Sequence, residues 1–374
     1  MVLLENENHT LPLKTKKLAL FGSGAVRTIK GGFGSGDPFN GGLSGGGSWD
    51  VDLNERYNIH IYNTFKKAGY DIVNSDMLDA YADAYDAQHK IEGNSTMNCF
   101  KFPEMEISDE ELADASADSD TAIYVISRNA GEGTDRTLKG TKGTYNGESY
   151  DIGDYYLTDL ERENLAREMC IRDRNYSDYP ASDTFANADG NIKKEVYNEG
   201  IYVGYRYFDT FNIKPKYEFG YGLSYTDFKI ETQSVTADAD KVTVKVKVTN
   251  TGSTYSGKEI VQVYYSAPDS AEAEKEYQEL GGFAKTDELA PGESQILTIS
   301  YDTKDMAYYN EDQAAYILDK GKYYVRVGDS SRNTSVEATI EVDDTTLTEQ
   351  LSNQMEVPDG EDLVEWSKPE EGYS

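Results

Sequence analysis

A glutamate held between two glycines is the sharpest chemical signal in the chain. In Ser127-Arg128-Asn129-Ala130-Gly131-Glu132-Gly133-Thr134-Asp135-Arg136, the carboxylate of Glu132 follows shortly after the apolar run Thr121-Ala122-Ile123-Tyr124-Val125-Ile126. A run of that kind reads as a buried parallel strand, and the loop leaving the C-terminal end of such a strand is where α/β sheets hold their ligand contacts. Gly131 and Gly133 let the backbone turn tightly and carry Glu132 toward a partner surface. On these residues alone a solvated loop glutamate is the simpler reading. Two glycine clusters offer other chemistry. Gly22-Ser23-Gly24-Ala25-Val26-Arg27 follows a strand and invites a dinucleotide, but Arg27 stands where the third glycine belongs and further loop displaces the helix, so no cofactor is assigned. Lys30-Gly31-Gly32-Phe33-Gly34-Ser35-Gly36 could cradle an anion, yet it lacks a Lys-Ser/Thr pair and reads as a flexible connection. Two cysteines, Cys99 and Cys170, and three histidines leave no disulfide framework and no Cys-rich metal site; no metal is assigned, and a reducing, cytoplasmic setting fits.

The elements that must position these residues fall into two kinds. Leu18-Ala19-Leu20-Phe21 is a short apolar run closed by the Gly22-Ser23-Gly24 turn, the mark of a buried parallel strand. Tyr57, Ile61, Phe65 and Ala68 recur at helical spacing from Asn54 until Gly69 stops them, and a strand follows at Tyr70 to Val73. The acidic stretch Met105 to Asp120 reads as unstructured, Thr121 to Ser127 as the clearest buried strand, and Thr158-x-x-Glu161 as a capping box opening a helix through roughly Glu168. Beyond Tyr225 the period becomes two. Val242, Val244, Val246 and Val248 share one strand face, and similar runs at Glu259–Tyr265, Ile296–Tyr301, Lys322–Gly328 and Val336–Val342 are separated by turn signals such as Asn250-Thr251-Gly252 and Pro291-Gly292. Short alternating strands of this kind predict an immunoglobulin-like β-sandwich.

Composition narrows the partners. A formal net charge of −32 repels phosphate backbones and anionic lipid, which argues against nucleic-acid and membrane partners. No stretch approaches the roughly 18 to 20 apolar residues of a membrane-spanning helix. The 30 tyrosines and 12 phenylalanines supply buriable surface, so a folded chain is expected.

Five stretches together resemble glycoside hydrolase family 3, the β-glucosidase type, in its C-terminal half. They are Met1-Val-Leu-Leu-Glu-Asn-Glu-Asn-His-Thr-Leu-Pro-Leu13, Lys30 to Gly36, Ser127 to Arg136, the motifs between Glu199 and Phe228 (EGIYVGYRYFD and FGYGLSYTDF), and Pro-Gly-Glu-Ser with Val327 to Arg332. The resemblance implies a (β/α)8 barrel, an α/β sandwich and a fibronectin type III-like domain, with an aspartate nucleophile on the barrel and an acid/base glutamate on the sandwich domain. Glu132 matches that acid/base motif, and Ser35 matches a position that can line the sugar subsite. The substrate class implied is a β-linked oligosaccharide or glucoside.

The sequence departs from the family in three places. It shows neither a nucleophile motif nor eight strand-helix repeats, so the barrel is a missing partner, lying upstream or downstream, and the chain alone is expected to be inactive. Pro38 to Val51 is an insertion carrying Trp49. Met169-Cys170-Ile171-Arg172-Asp173-Arg174 stands where relatives carry further strands and helices; it reads as the translation of a sequencing-library adapter or as a short natural linker. The expected fold is therefore α/β plus all-β: an incomplete, internally deleted α/β sandwich domain over 1–220, a fibronectin type III-like β-sandwich over 225–342, and an acidic linker or tail over 343–374. The expected function is a fragment of a retaining β-glycosidase that contributes Glu132; the alternative is a non-catalytic carbohydrate-binding or interaction module.

Overall fold

The structure, a computed structural model, describes residues 2–28, 59–92, 101–128, 141–153, 155–166, 197–270, 272–354 and 365–368. It divides into two compact units, Leu13–Arg172 and Met1–Pro12 with Asp173–Ser374.

The first unit is α/β. Strand β1 (Lys17–Phe21) runs into helix α1 (Ser23–Val26); helix α2 (Ile61–Lys67), strand β2 (Asp71–Ile72), helix α3 (Ser75–Glu92) and helix α4 (Asp109–Asp118) follow. Strand β3 (Ala122–Tyr124), the hairpin β4 (Thr141–Tyr145) and β5 (Glu148–Ile152), and helix α5 (Asp159–Ala166) complete it. The parallel sheet has the order β2-β1-β3. Leu18, Ala19, Leu20 and Phe21 are buried on both faces, which is why this strand reads as an unbroken apolar run. Beside the two-residue β2, the Asn74 side chain extends the ladder: its Oδ1 accepts from Leu20 N at 3.0 Å and its Nδ2 donates to Leu20 O at 2.6 Å. Gly69 ends α2 at φ +76°, as its position predicts.

Two expectations change here. Part of the acidic stretch read as unstructured is helix α4, because Ser108 and Glu111 form a reciprocal capping box and the acidic first turn complements the helix dipole. The run read as the clearest buried strand is β3, which among the described residues has a strand neighbour on one side only, so Ala122 is exposed and Ile123 and Tyr124 are half-buried. The hairpin was unread, although its two-residue turn is Asn146-Gly147, both at positive φ.

The second unit is built on strands β6 (Phe228–Ala237), β7 (Lys241–Asn250), β8 (Ile260–Ser266), β9 (Glu279–Lys285), β10 (Ser294–Asp302), β11 (Tyr308–Asn310), β12 (Ala315–Leu318), β13 (Gly321–Ser330), β14 (Asn333–Val342) and β15 (Thr346–Gln350), with helix α6 (Tyr205–Thr210) before them. Sheets β10-β7-β6 and β14-β13-β8-β9 enclose one core. The alternation holds: Val242, Val244, Val246 and Val248 are fully buried, Lys245 is exposed and Lys247 half-buried. Within the segment read as a solvated tail, β15 pairs antiparallel with β12, whose backbone groups it completes. No helix among the described residues is long and apolar enough to cross a membrane.

One polar residue closes this sandwich. Asn250 is fully buried; its Nδ2 donates to Tyr255 O and Leu289 O, both at 2.9 Å, and its Oδ1 accepts from Thr226 Oγ1 at 2.6 Å and Gly252 N at 3.0 Å. Asn250→Ala strands these partners and is expected to cost about 2 kcal/mol in denaturant unfolding.

A second prediction concerns pH. Burial, reinforced by the charge of Glu279, raises the Glu276 carboxyl to about 7, against the opposing charge of Arg206. The folded state therefore holds this proton more tightly than the unfolded chain. The resulting stability is present in acid and is lost as pH rises from the ordinary carboxylate range through about 7. Glu276→Gln is expected to flatten that dependence and to gain of the order of 2 kcal/mol at about pH 8, read by thermal unfolding across pH.

Candidate functional site

The C-terminal ends of β1 and β3 lie side by side, and there the first unit has a cavity of about 100 Å³. Gly22, at φ +87°, lets the β1 turn pass under β3: a Cβ on it would lie 2.4 Å from Val125 O. The turn delivers Ser23, whose N–H and hydroxyl both donate to Glu104, at 2.7 Å each, while Met105 N donates to the same carboxylate at 2.9 Å. Glu104 is fixed by its neighbours, since Tyr81 donates to Pro103 O at 2.6 Å and Asn164 to Met105 O at 3.0 Å. Burial pushes the Glu104 carboxyl up, and the Ser23 and Met105 hydrogen bonds work against that rise. The donors that a dinucleotide phosphate would use after β1 are thus engaged by the chain's own carboxylate.

Arg27, the residue in place of the third glycine, turns to α3 and forms an ion pair with Asp86, its Nε donating at 2.9 Å. Arg128, four residues past β3, makes a two-pronged pair with Glu161: Nη1 to Oε1 at 2.5 Å and Nη2 to Oε2 at 2.7 Å. Glu161 is 2 % exposed. It also accepts from Thr158 N at 2.8 Å while Thr158 Oγ1 accepts from its own N–H, so the predicted capping box exists and its carboxylate does double duty. Gly153 makes room for the guanidinium, because a Cβ there would lie 2.3 Å from Arg128 Cζ.

Glu132 and Ser35 lie outside the described residues, as do Trp49 and residues 169–174. The structure places the chain just before each candidate: Arg27 and Thr28 precede the segment carrying Ser35, and Ser127 and Arg128 precede the one carrying Glu132. Arg27, Ser127 and Arg128 all line the same cavity. Sequence reasoning missed Glu104, for which Phe102-Pro103-Glu104 gave no signal, and saw in Glu161 only a helix cap. Among the described residues no group of His, Cys, Asp and Glu side chains could hold a metal ion.

Residues 1–167 match the glycosyl hydrolase family 3 C-terminal domain, and residues 259–331 match a fibronectin type III-like domain. Beta-glucosidase A of Butyrivibrio fibrisolvens is 32 % identical over 95 % of this chain and 51 % of its own length. A beta-glucosidase of Ruminococcus albus is 30 % identical over 76 % of this chain and 35 % of its own length. The chain therefore spans about half or less of these relatives. In structure it is similar to beta-glucosidase 3B of Thermotoga neapolitana, solved in complex with α-D-glucose, with a TM-score of 0.74, 31 % identity, and coverage of 92 % of this chain and 53 % of that one. The two matched domains, together with the likeness to these relatives, show that the chain belongs to glycosyl hydrolase family 3 and carries the C-terminal half of its architecture.

Proposed function

We propose that this chain supplies the general acid/base, Glu132, of a retaining β-glycosidase acting on terminal β-linked glucosides, and that the nucleophile comes from a (β/α)8 barrel not found in its sequence. The observation that carries this reading is the shared cavity. The roots of the Glu132 and Ser35 segments meet at the ligand-binding edge of a parallel sheet, with Arg128 locked by Glu161 at one of them. In the proposed reaction an outside carboxylate attacks the anomeric carbon as Glu132 gives its proton to the departing oxygen; Glu132 then takes a proton from the water that releases the sugar. The two carboxyl groups must stand roughly 5 to 5.5 Å apart for this, and Ser35 would contact the sugar held between them.

We also read the α/β domain as shortened near 169–174. The alignment with the Butyrivibrio relative runs over 449 residues, more than the 374 of this chain, and the family 3 domain match stops at residue 167. The low cysteine count is the support for a cytoplasmic setting.

The test is direct. The purified chain alone is expected to hydrolyse an aryl β-glucoside no faster than buffer, since the covalent step has no nucleophile. Turnover by the chain alone, abolished by Glu132→Gln, would overturn the need for the barrel.

A further inference from the structure

The sandwich unit contains a second, larger cavity, of about 800 Å³, and Glu365, Trp366 and Ser367 of the short segment Glu365–Lys368 form one of its walls. This segment comes from the stretch whose composition reads as a solvated acidic tail, yet it is held by three independent kinds of contact. Trp366 packs its ring edge-on to Tyr207 on α6, with centroids 5.3 Å apart, and lies 6.2 Å from Phe211. It thereby joins the cluster whose buried members are Tyr202, Tyr207 and Phe208. Its backbone is paired as well: Trp366 N donates to Asn198 O at 2.9 Å, and Lys368 N donates to Glu274 Oε2 at 2.9 Å. The same Glu274 oxygen accepts from the buried Tyr202 hydroxyl at 2.5 Å, so the carboxylate that catches the segment is itself fixed from below. Finally, Lys368 Nζ reaches Asp269 at 2.8 Å.

A half-buried aromatic ring packed on an aromatic cluster, with its own backbone and that of Lys368 paired, is how a bound peptide is anchored; the exposed ion pair at the end adds little. We propose that Glu365–Lys368 is an intramolecular strap, anchored by Trp366, that stays docked on the sandwich unit in solution and whose residues Glu365, Trp366 and Ser367 wall the cavity beside α6. The recognition chemistry is an aromatic residue followed two positions later by a lysine, docked in cis.

The experiment uses the full chain. Trp49 and Trp366 are the two tryptophans, so Trp49→Phe leaves Trp366 as the sole reporter. Its emission is expected to be shifted to the blue and quenched less readily by acrylamide in the folded chain than in the unfolded one, and to be independent of protein concentration. In hydrogen exchange, the amides of Trp366 and Lys368 are expected to be protected. In Trp366→Ala they should exchange at the rate of an unstructured peptide while β7 and β13 keep their protection; Trp366→Phe should restore part of it. Solvent-like, freely quenched emission of Trp366 in the folded Trp49→Phe chain would overturn the strap, and that result does not depend on the alanine variant folding. Protection that disappears on dilution together with a dimer would also overturn it, assigning the docking to a second copy.

Discussion

Glu132→Gln, in a protein that joins this chain to the proposed nucleophile-bearing barrel, is expected to slow hydrolysis of alkyl glucosides by about 10² to 10⁴-fold, the usual contribution of a positioned acid/base. The size of the loss should depend on the leaving group. An alkoxide must be protonated as it departs, so the alkyl substrate loses the full contribution, whereas a nitrophenolate leaves unassisted and keeps a fast first step. With such a substrate the glycosyl-enzyme should accumulate, because water still needs a base to attack it, and kcat and KM should fall together. Rates for a series of aryl glucosides of graded leaving-group acidity check this. A steep dependence on the leaving group in the variant and a shallow one in the parent is the expected pattern.

Breaking the Arg128–Glu161 pair is the largest effect expected on stability. Arg128→Ala leaves Glu161, at 2 % exposure, as a buried charge whose partner is gone, and should destabilise the 13–172 unit by about 3 to 5 kcal/mol. Arg128→Met combined with Glu161→Gln should recover most of that loss, since the amide oxygen can still accept from Thr158 N and no charge is left unpaired. Denaturant unfolding of the two variants against the parent, with hydrogen exchange on α5 to locate the change, measures both. Equal losses in the single and double variants would mean that the pair acts through packing of the arginine stem and not through its charge.

What the sequence made legible follows from how each element is stabilised. β1 and β7 are set by local patterns, an unbroken apolar run and a strict alternation, and both stand where those patterns put them. The family motifs carried the two-domain architecture. Helix α4 was hidden because its acidic composition resembles a solvated run, while its stability comes from one capping box and from the few residues, Ala115 and Leu112 among them, that face the core. The cavity at the strand ends was hidden for a different reason. Glu104 is joined to Ser23 across 81 positions of chain, and Arg128 to Glu161 across 33, so nothing in either neighbourhood announces its partner. Trp366 was hidden by the acidic residues around it, since composition describes the average of a segment and the docking depends on one ring.

Azide rescue tests the central claim most directly. A small anionic nucleophile needs no general base, so in the barrel-joined protein carrying Glu132→Gly, azide is expected to accelerate release of the glycosyl-enzyme and to yield the β-glycosyl azide, with configuration retained. If azide neither accelerates that variant nor forms the β-glycosyl azide, and good and poor leaving groups lose equally, then Glu132 is not the acid/base and the catalytic proton is carried by another residue.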